Sequence, residues 1–119
     1  MTLPFDGRLI LVVEDEMLIA LTITDILEQN GARTIMCGSR ARAEVLVETD
    51  GLSAAVLDHG LTDGHSLPLC ERLTERDIPF VIYTGYSDLP KGCHGGAHLM
   101  KPATDRALVE TVTKLFRSG

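Results

Sequence analysis

Five polar residues of this 119-residue chain could do chemistry together: Glu14, Asp15, Asp58, Thr84 and Lys101. Each stands where an apolar run ends. Glu14 and Asp15 follow residues 9–13, Asp58 follows 53–57, Thr84 follows 79–83 and Lys101 follows 97–100. Clustered carboxylates repel, at about 4 kcal/mol per like pair for ~4 Å and an effective dielectric of about 20. Three of them therefore call for a counter-ion. Oxygen-only ligands without a neighbouring nitrogen or sulfur donor favour a hard ion, most simply Mg²⁺. A carboxylate, such an ion, a hydroxyl and a lysine are the parts that phosphoryl transfer uses. The carboxylate attacks, and the other groups neutralise charge on the transferred group.

The elements that must bring these residues together follow from the apolar pattern. Leu9-Ile-Leu-Val-Val13 is apolar on both faces, as a central strand of a parallel sheet is. Residues 17–29 read as a helix with Met17, Leu18, Leu21, Ile26 and Leu27 on a broad apolar face, stopped by Asn30-Gly31. Residues 33–37 form a weaker strand. Ser39 caps a helix over about 40–49, with Ala43, Leu46 and Val47 apolar, and Asp50-Gly51 ends it. A strand over 53–57 and a loop over 59–64 precede a helix over 66–76, in which Pro68 falls in the first turn. Strands over 79–83 and 97–100 and an amphipathic helix over 104–117, with Leu108, Val112, Leu115 and Phe116 on one stripe, complete the chain.

Strand–helix alternation of this kind implies an open parallel α/β sheet with helices on both faces. Its strand ends share one edge, where ligands bind, so the polar residues converge on one crevice. Between Tyr86 and Ala97, the residues Pro90, Gly92, Gly95 and Gly96 argue against a full helix and for a loop or ragged turn.

Composition limits the function classes. The length is one domain's worth, with no room for an output domain. Hydrophobic residues at 45% and charged residues at 24% fit an ordinary globular protein rather than a disordered chain or a disulfide scaffold. A formal charge of −6 disfavours direct nucleic-acid binding. No apolar run reaches the roughly 18 residues of a membrane span, and the N-terminus lacks a signal-peptide pattern. Three cysteines, Cys37, Cys70 and Cys93, suit a reducing cytoplasm and read as buried or inert thiols.

The strand-end residues, in order, resemble the receiver domain of two-component response regulators. Five features carry the resemblance over nearly the whole chain: Val12-Val13-Glu14-Asp15-Glu16, Leu57-Asp58, Asp63-Gly64, Tyr83-Thr84-Gly85 and Lys101-Pro102. It implies a flavodoxin-like (βα)5 fold with strand order 2-1-3-4-5. It implies that Asp58 accepts a phosphoryl group from a histidine kinase or phosphotransfer protein. Asp15 would ligate Mg²⁺ directly, Glu14 through water, and the carbonyl of Gly60 would complete the protein ligands beside Asp58. Thr84 would bond a phosphoryl oxygen. Lys101 would pair with Asp58 at rest and with the phosphoryl group afterwards, aimed by a cis Lys101-Pro102 bond. Glu14 departs from the commoner aspartate.

A narrower resemblance is Pro79-Phe80-Val81-Ile82-Tyr83-Thr84-Gly85-Tyr86. It is similar to the FAT GUY subgroup, with Ile82 and Tyr83 departing from its Phe-Ala pair. That subgroup has a short or poorly formed fourth helix and works with kinases of the HWE and HisKA2 classes. His98 stands three residues before the lysine, where other receivers carry an aromatic switch; His98 and Tyr86 are the two switch candidates. A receiver of this kind is a phosphoacceptor rather than an enzyme, and acts in the cytoplasm by docking.

Other readings are weaker. Cys93-His94 with His98 lacks a fourth ligand for a structural metal site. His59 could meet an incoming kinase histidine or simply be a solvated loop residue. A small haloacid-dehalogenase-like phosphatase would place its nucleophile on the first strand with an aspartate two residues later; here the run is Glu14-Asp15-Glu16. A pseudo-receiver that only docks would have no need of Asp58, Thr84 and Lys101 together.

Overall fold

In the computed structural model, residues 2–58, 60–61, 64–84, 96–101 and 103–117 are described, with His65 and Thr84 described by backbone alone. The elements run β1 (Leu9–Val13), α1 (Met17–Gln29), β2 (Arg33–Cys37), α2 (Arg40–Leu46), β3 (Ala54–Asp58), β4 (Gly60–Leu61), β5 (Gly64–His65), α3 (Leu67–Glu75), β6 (Phe80–Thr84), β7 (Ala97–Met100) and α4 (Asp105–Arg117). Five strands form one parallel sheet in the order β2-β1-β3-β6-β7. Counted along the chain, these five stand in the order 2-1-3-4-5, as the flavodoxin-like expectation required.

Strand alternation sorts the core into two layers. Leu11, Val13, Ala55, Leu57, Phe80 and Ile82 face α2 and α3, where Ala43, Leu69 and Leu73 meet them. Ile10, Val12, Ala54, Val56 and Val81 face α1 and α4, where Ile23, Leu27, Leu108 and Val112 meet them. β3 is buried at every position because sheet neighbours and helices cover it on all sides. β2 and β7 form the sheet edges, and their residues are mostly half-buried. Phe5 is fully buried in the α1–α4 layer, edge-on to Phe116 at 5.9 Å, with the Arg8 guanidinium over the Phe116 ring.

The local signals act where the sequence put them. Ser39 accepts from Arg42 N at 3.1 Å and starts α2. Gly31 ends α1 with φ +101°, a conformation that an L side chain resists. α2 is shorter than expected. It stops at Leu46, and the Arg76 guanidinium from the end of α3 takes up the carbonyls of Val47 and Thr49.

Three expectations are corrected. Met17, Leu18 and Leu21 of α1 are exposed, at 63%, 80% and 48%. The buried stripe is Ala20, Ile23, Thr24, Ile26 and Leu27; at about 100° per residue, Leu18 lies nearly opposite its centre. The 59–64 loop contains a small antiparallel pair, Gly60–Leu61 against Gly64–His65. Cys37 is a buried thiol outside any disulfide, but the fully buried Cys70 is disulfide-bonded rather than inert. Cys93, His94 and the expected ragged turn over 86–96 lie outside the described residues, apart from Gly96.

Candidate functional site

The carboxyl ends of β1, β3, β6 and β7 lie side by side, because the sheet pairs Val13 with Leu57, Asp58 with Tyr83, and Thr84 with Met100. That register is what gathers residues so distant in sequence. Glu14, Asp15 and Asp58 each offer a carboxylate oxygen, and these oxygens lie within 4.8 Å of one another. Lys101 reaches them from the end of β7: its Nζ is 3.1 Å from Glu14 Oε1 and 3.3 Å from Asp58 Oδ1. Gly60 N donates to Asp58 Oδ1 at 3.3 Å, and Glu16 N donates to Glu14 Oε2 at 3.2 Å. Glu14 is 3% exposed and Asp58 8%, whereas Asp15 opens to solvent.

The electrostatics follow from burial. Desolvation, with hydrogen bonding to and repulsion from Asp58, pushes the Glu14 carboxyl from 4.5 up to about 7, against the pull of Glu16 N and Lys101. Burial alone would lower the Lys101 pKa. Its hydrogen bond to Glu14 and the charges of Asp58 and Glu14 outweigh that and hold the ammonium above its ordinary value. One lysine therefore does not neutralise the cluster. Three hard oxygen donors with unbalanced negative charge fit a Mg²⁺ ion, and Glu14, Asp15 and Asp58 would hold it.

The structure thus places Glu14, Asp15, Asp58 and Lys101 together, with Gly60 beside them. The backbone of Thr84 ends β6 at the same edge. The side chain of Thr84, and His59, Asp63, Tyr86 and Pro102 with its peptide bond, lie outside what is described. His98 pairs with Ile82 in the sheet, and its buried Nε2 finds no hydrogen-bond partner among the described residues. Two contacts went unread in the sequence. Lys101 pairs with Glu14 as well as Asp58, and it stands over the Tyr83 ring, 5.1 Å from the centroid. The second depends on the register that sets Tyr83 beside Asp58, which strand lengths alone do not give.

A parallel sheet in this order, carrying these residues on its strand ends, is the receiver-domain fold of two-component response regulators. Its structural neighbours are response-regulator receiver (CheY-like) domains. The non-phosphorylated HemR receiver domain from Leptospira biflexa superposes with a TM-score of 0.83 at 25% identity, covering 94% of this chain and 96% of that one. A CheY-like receiver domain protein from Methanospirillum hungatei JF-1 gives 0.82 at 25% identity, over 92% and 94%. One from Methylobacillus flagellatus gives 0.76 at 27% identity, over 93% and 97%. Among curated proteins, the chain is 27% identical over 113 residues to the sensor protein TorS of Escherichia coli (strain K12). That match takes in 94% of this chain and 11% of the length of TorS. No family model matches the chain. Among the described residues, no helix is long and apolar enough to cross a membrane.

Proposed function

We propose that this single domain accepts a phosphoryl group on Asp58 and signals by the resulting change in its surface. The observation that carries this reading is the trio Glu14, Asp15 and Asp58, gathered within 4.8 Å and bridged by Lys101. An Asp58 oxygen attacks the phosphorus of the donor, an O–P bond forms, and the bond to the donor's leaving group breaks. Bound Mg²⁺ would supply charge neutralisation for the transferred group. Lys101, already beside Asp58, adds a positive charge on the same side, and in this reading Thr84, whose backbone ends β6, would donate its hydroxyl to a phosphoryl oxygen. The protein acts as a phosphoacceptor that assists its own phosphorylation.

The donor in this reading is a histidine kinase or phosphotransfer protein of the cytoplasm. Support comes from the match to a sensor protein and the receiver neighbours. The string from Pro79 to Tyr86 favours a kinase of the HWE or HisKA2 class. The new charge, about −2 near neutral pH, draws Lys101 away from Glu14. His98, on the strand that leads into Lys101 and with its buried Nε2 without a hydrogen-bond partner among the described residues, is one switch candidate; Tyr86 is the other. The output is docking to another protein rather than to nucleic acid.

The test is Mg²⁺-dependent labelling by acetyl phosphate, read by intact mass. Wild type gains one phosphoryl group and Asp58→Ala gains none. Equal labelling of the two would reject the assignment, and steady phosphate release from phosphomonoesters would replace it with a hydrolase.

A further inference from the structure

We propose that Tyr83 is a positioning residue for Lys101, holding its ammonium between Glu14 and Asp58. Tyr83 and Asp58 are register partners on adjacent strands, and Tyr83 pairs on its other side with Leu99, two residues before Lys101. In a sheet, register partners and residues two apart share a face. The sheet therefore lines up Asp58, Tyr83 and Leu99 on the side of α1 and α4, the side from which Lys101 approaches. Tyr83 then makes two contacts around the lysine. Its ring lies under Nζ at 5.1 Å, inside the roughly 6 Å reach of a cation–π contact. Its hydroxyl accepts from Ala103 N at 3.4 Å, two residues beyond the lysine.

The ammonium is thus held from three sides, by Glu14, Asp58 and the ring, while the hydroxyl fastens the backbone that follows it. The need is physical. Lysine is a point charge on a flexible stem that carries about 2 kcal/mol of rotamer entropy. It also borders a cavity of about 340 Å³ between α1 and α4, walled by Leu18, Ile19, Tyr83 and Leu108, into which an unheld stem could swing. Tyr83 stands at one of the two positions where the chain departs from the FAT GUY string, and an alanine there could make neither contact.

This inference rests on the phosphoacceptor reading for its consequence but not for its geometry, so the experiment has two arms. In the first, NMR follows the ε-methylene protons of Lys101. Ring current moves them upfield of those of Lys114 in wild type and in Tyr83→Phe, and the shift vanishes in Tyr83→Leu. In the second, Tyr83→Leu slows acetyl phosphate labelling about two- to five-fold, the range expected for a lost cation–π contact. Tyr83→Phe, which loses only the bond to Ala103 N, keeps most of the rate. An unshifted Lys101 in wild type overturns the proposal, and that comparison needs no variant to fold. A ring shift lost in Tyr83→Leu with an unchanged labelling rate also overturns it, because the contact is then only structural. If wild type shows the ring shift but takes no label, the phosphoacceptor reading fails and the hold on Lys101 stands.

Discussion

Replacing Glu14 by glutamine should stabilise the metal-free protein in mild alkali and leave it unchanged in acid. Glu14 is 3% exposed, and its carboxyl is pushed from 4.5 to about 7, first by burial and then by Asp58. Between these two values the folded protein keeps a proton that the unfolded chain has released. Stability therefore falls as pH rises through that window, and the whole loss is in force above about 7. At roughly 1.4 kcal/mol per pH unit, that displacement is worth about 3 kcal/mol. Glutamine keeps the shape of the protonated acid and does not titrate. It gives up the ion pair with Lys101, but Lys101 keeps Asp58 at 3.3 Å. The net gain for Glu14→Gln is then about 1–3 kcal/mol near pH 8, shrinking to nothing near pH 4. The chain has no tryptophan, so urea unfolding with a chelator is followed by circular dichroism at several pH values. Parallel stability curves for the two proteins, or a Glu14→Gln variant that is weaker near pH 8, would refute the reasoning.

Two further substitutions probe the metal site and the fold. Asp15→Asn removes a carboxylate from the trio, so the rise in unfolding midpoint that Mg²⁺ gives wild type should be largely lost; an equal rise by differential scanning calorimetry would place the ion elsewhere. Gly96→Ala should cost about 1–3 kcal/mol by urea unfolding, because a Cβ there would press into the Phe80 ring.

The sheet was legible because its strands are short apolar runs that end in one charged or hydroxylic residue. Leu9–Val13 followed by Glu14-Asp15 fixes both a strand and the edge at which it stops, and the bounds of β1, α1, β2 and β7 match the sequence reading. The faces of α1 were not legible. Met17, Leu18 and Leu21 are as apolar as Ile23 and Leu27, so periodicity alone could not set the rotation of a helix apolar on more than one side. Phe5 was missed for another reason. It is a lone aromatic in a short terminal segment with no period to read, and its burial depends on Phe116 at the far end of the chain. The members of the acidic cluster could be read from residue type. Which carboxylate Lys101 would choose could not, because that depends on ångström differences at strand ends: 3.1 Å to Glu14 and 3.3 Å to Asp58.

If Asp58 accepts a phosphoryl group as proposed, that near-equality is what would make Lys101 useful. Three carboxylates and one ammonium leave a net charge of about −2 when all are ionised. The rise of the Glu14 carboxyl to about 7, by burial and the neighbouring Asp58, is the metal-free site's response to that charge: Glu14 gives up its proton less readily than an ordinary carboxyl. A lysine bound to Asp58 alone would already be where a phosphoryl group needs it, and phosphorylation would move nothing. A lysine bound to Glu14 alone would have to break a buried ion pair before it could help. Shared between them, Lys101 can shift toward Asp58 by shortening one contact and lengthening the other. On the proposed reading its displacement would be driven by the added charge and opposed only by the difference between two similar pairs. The same shift would draw its stem along the Tyr83 ring, and Tyr83 pairs in the sheet with both Asp58 and Leu99. A change of charge at the end of β3 would in this way be felt by β6 and β7.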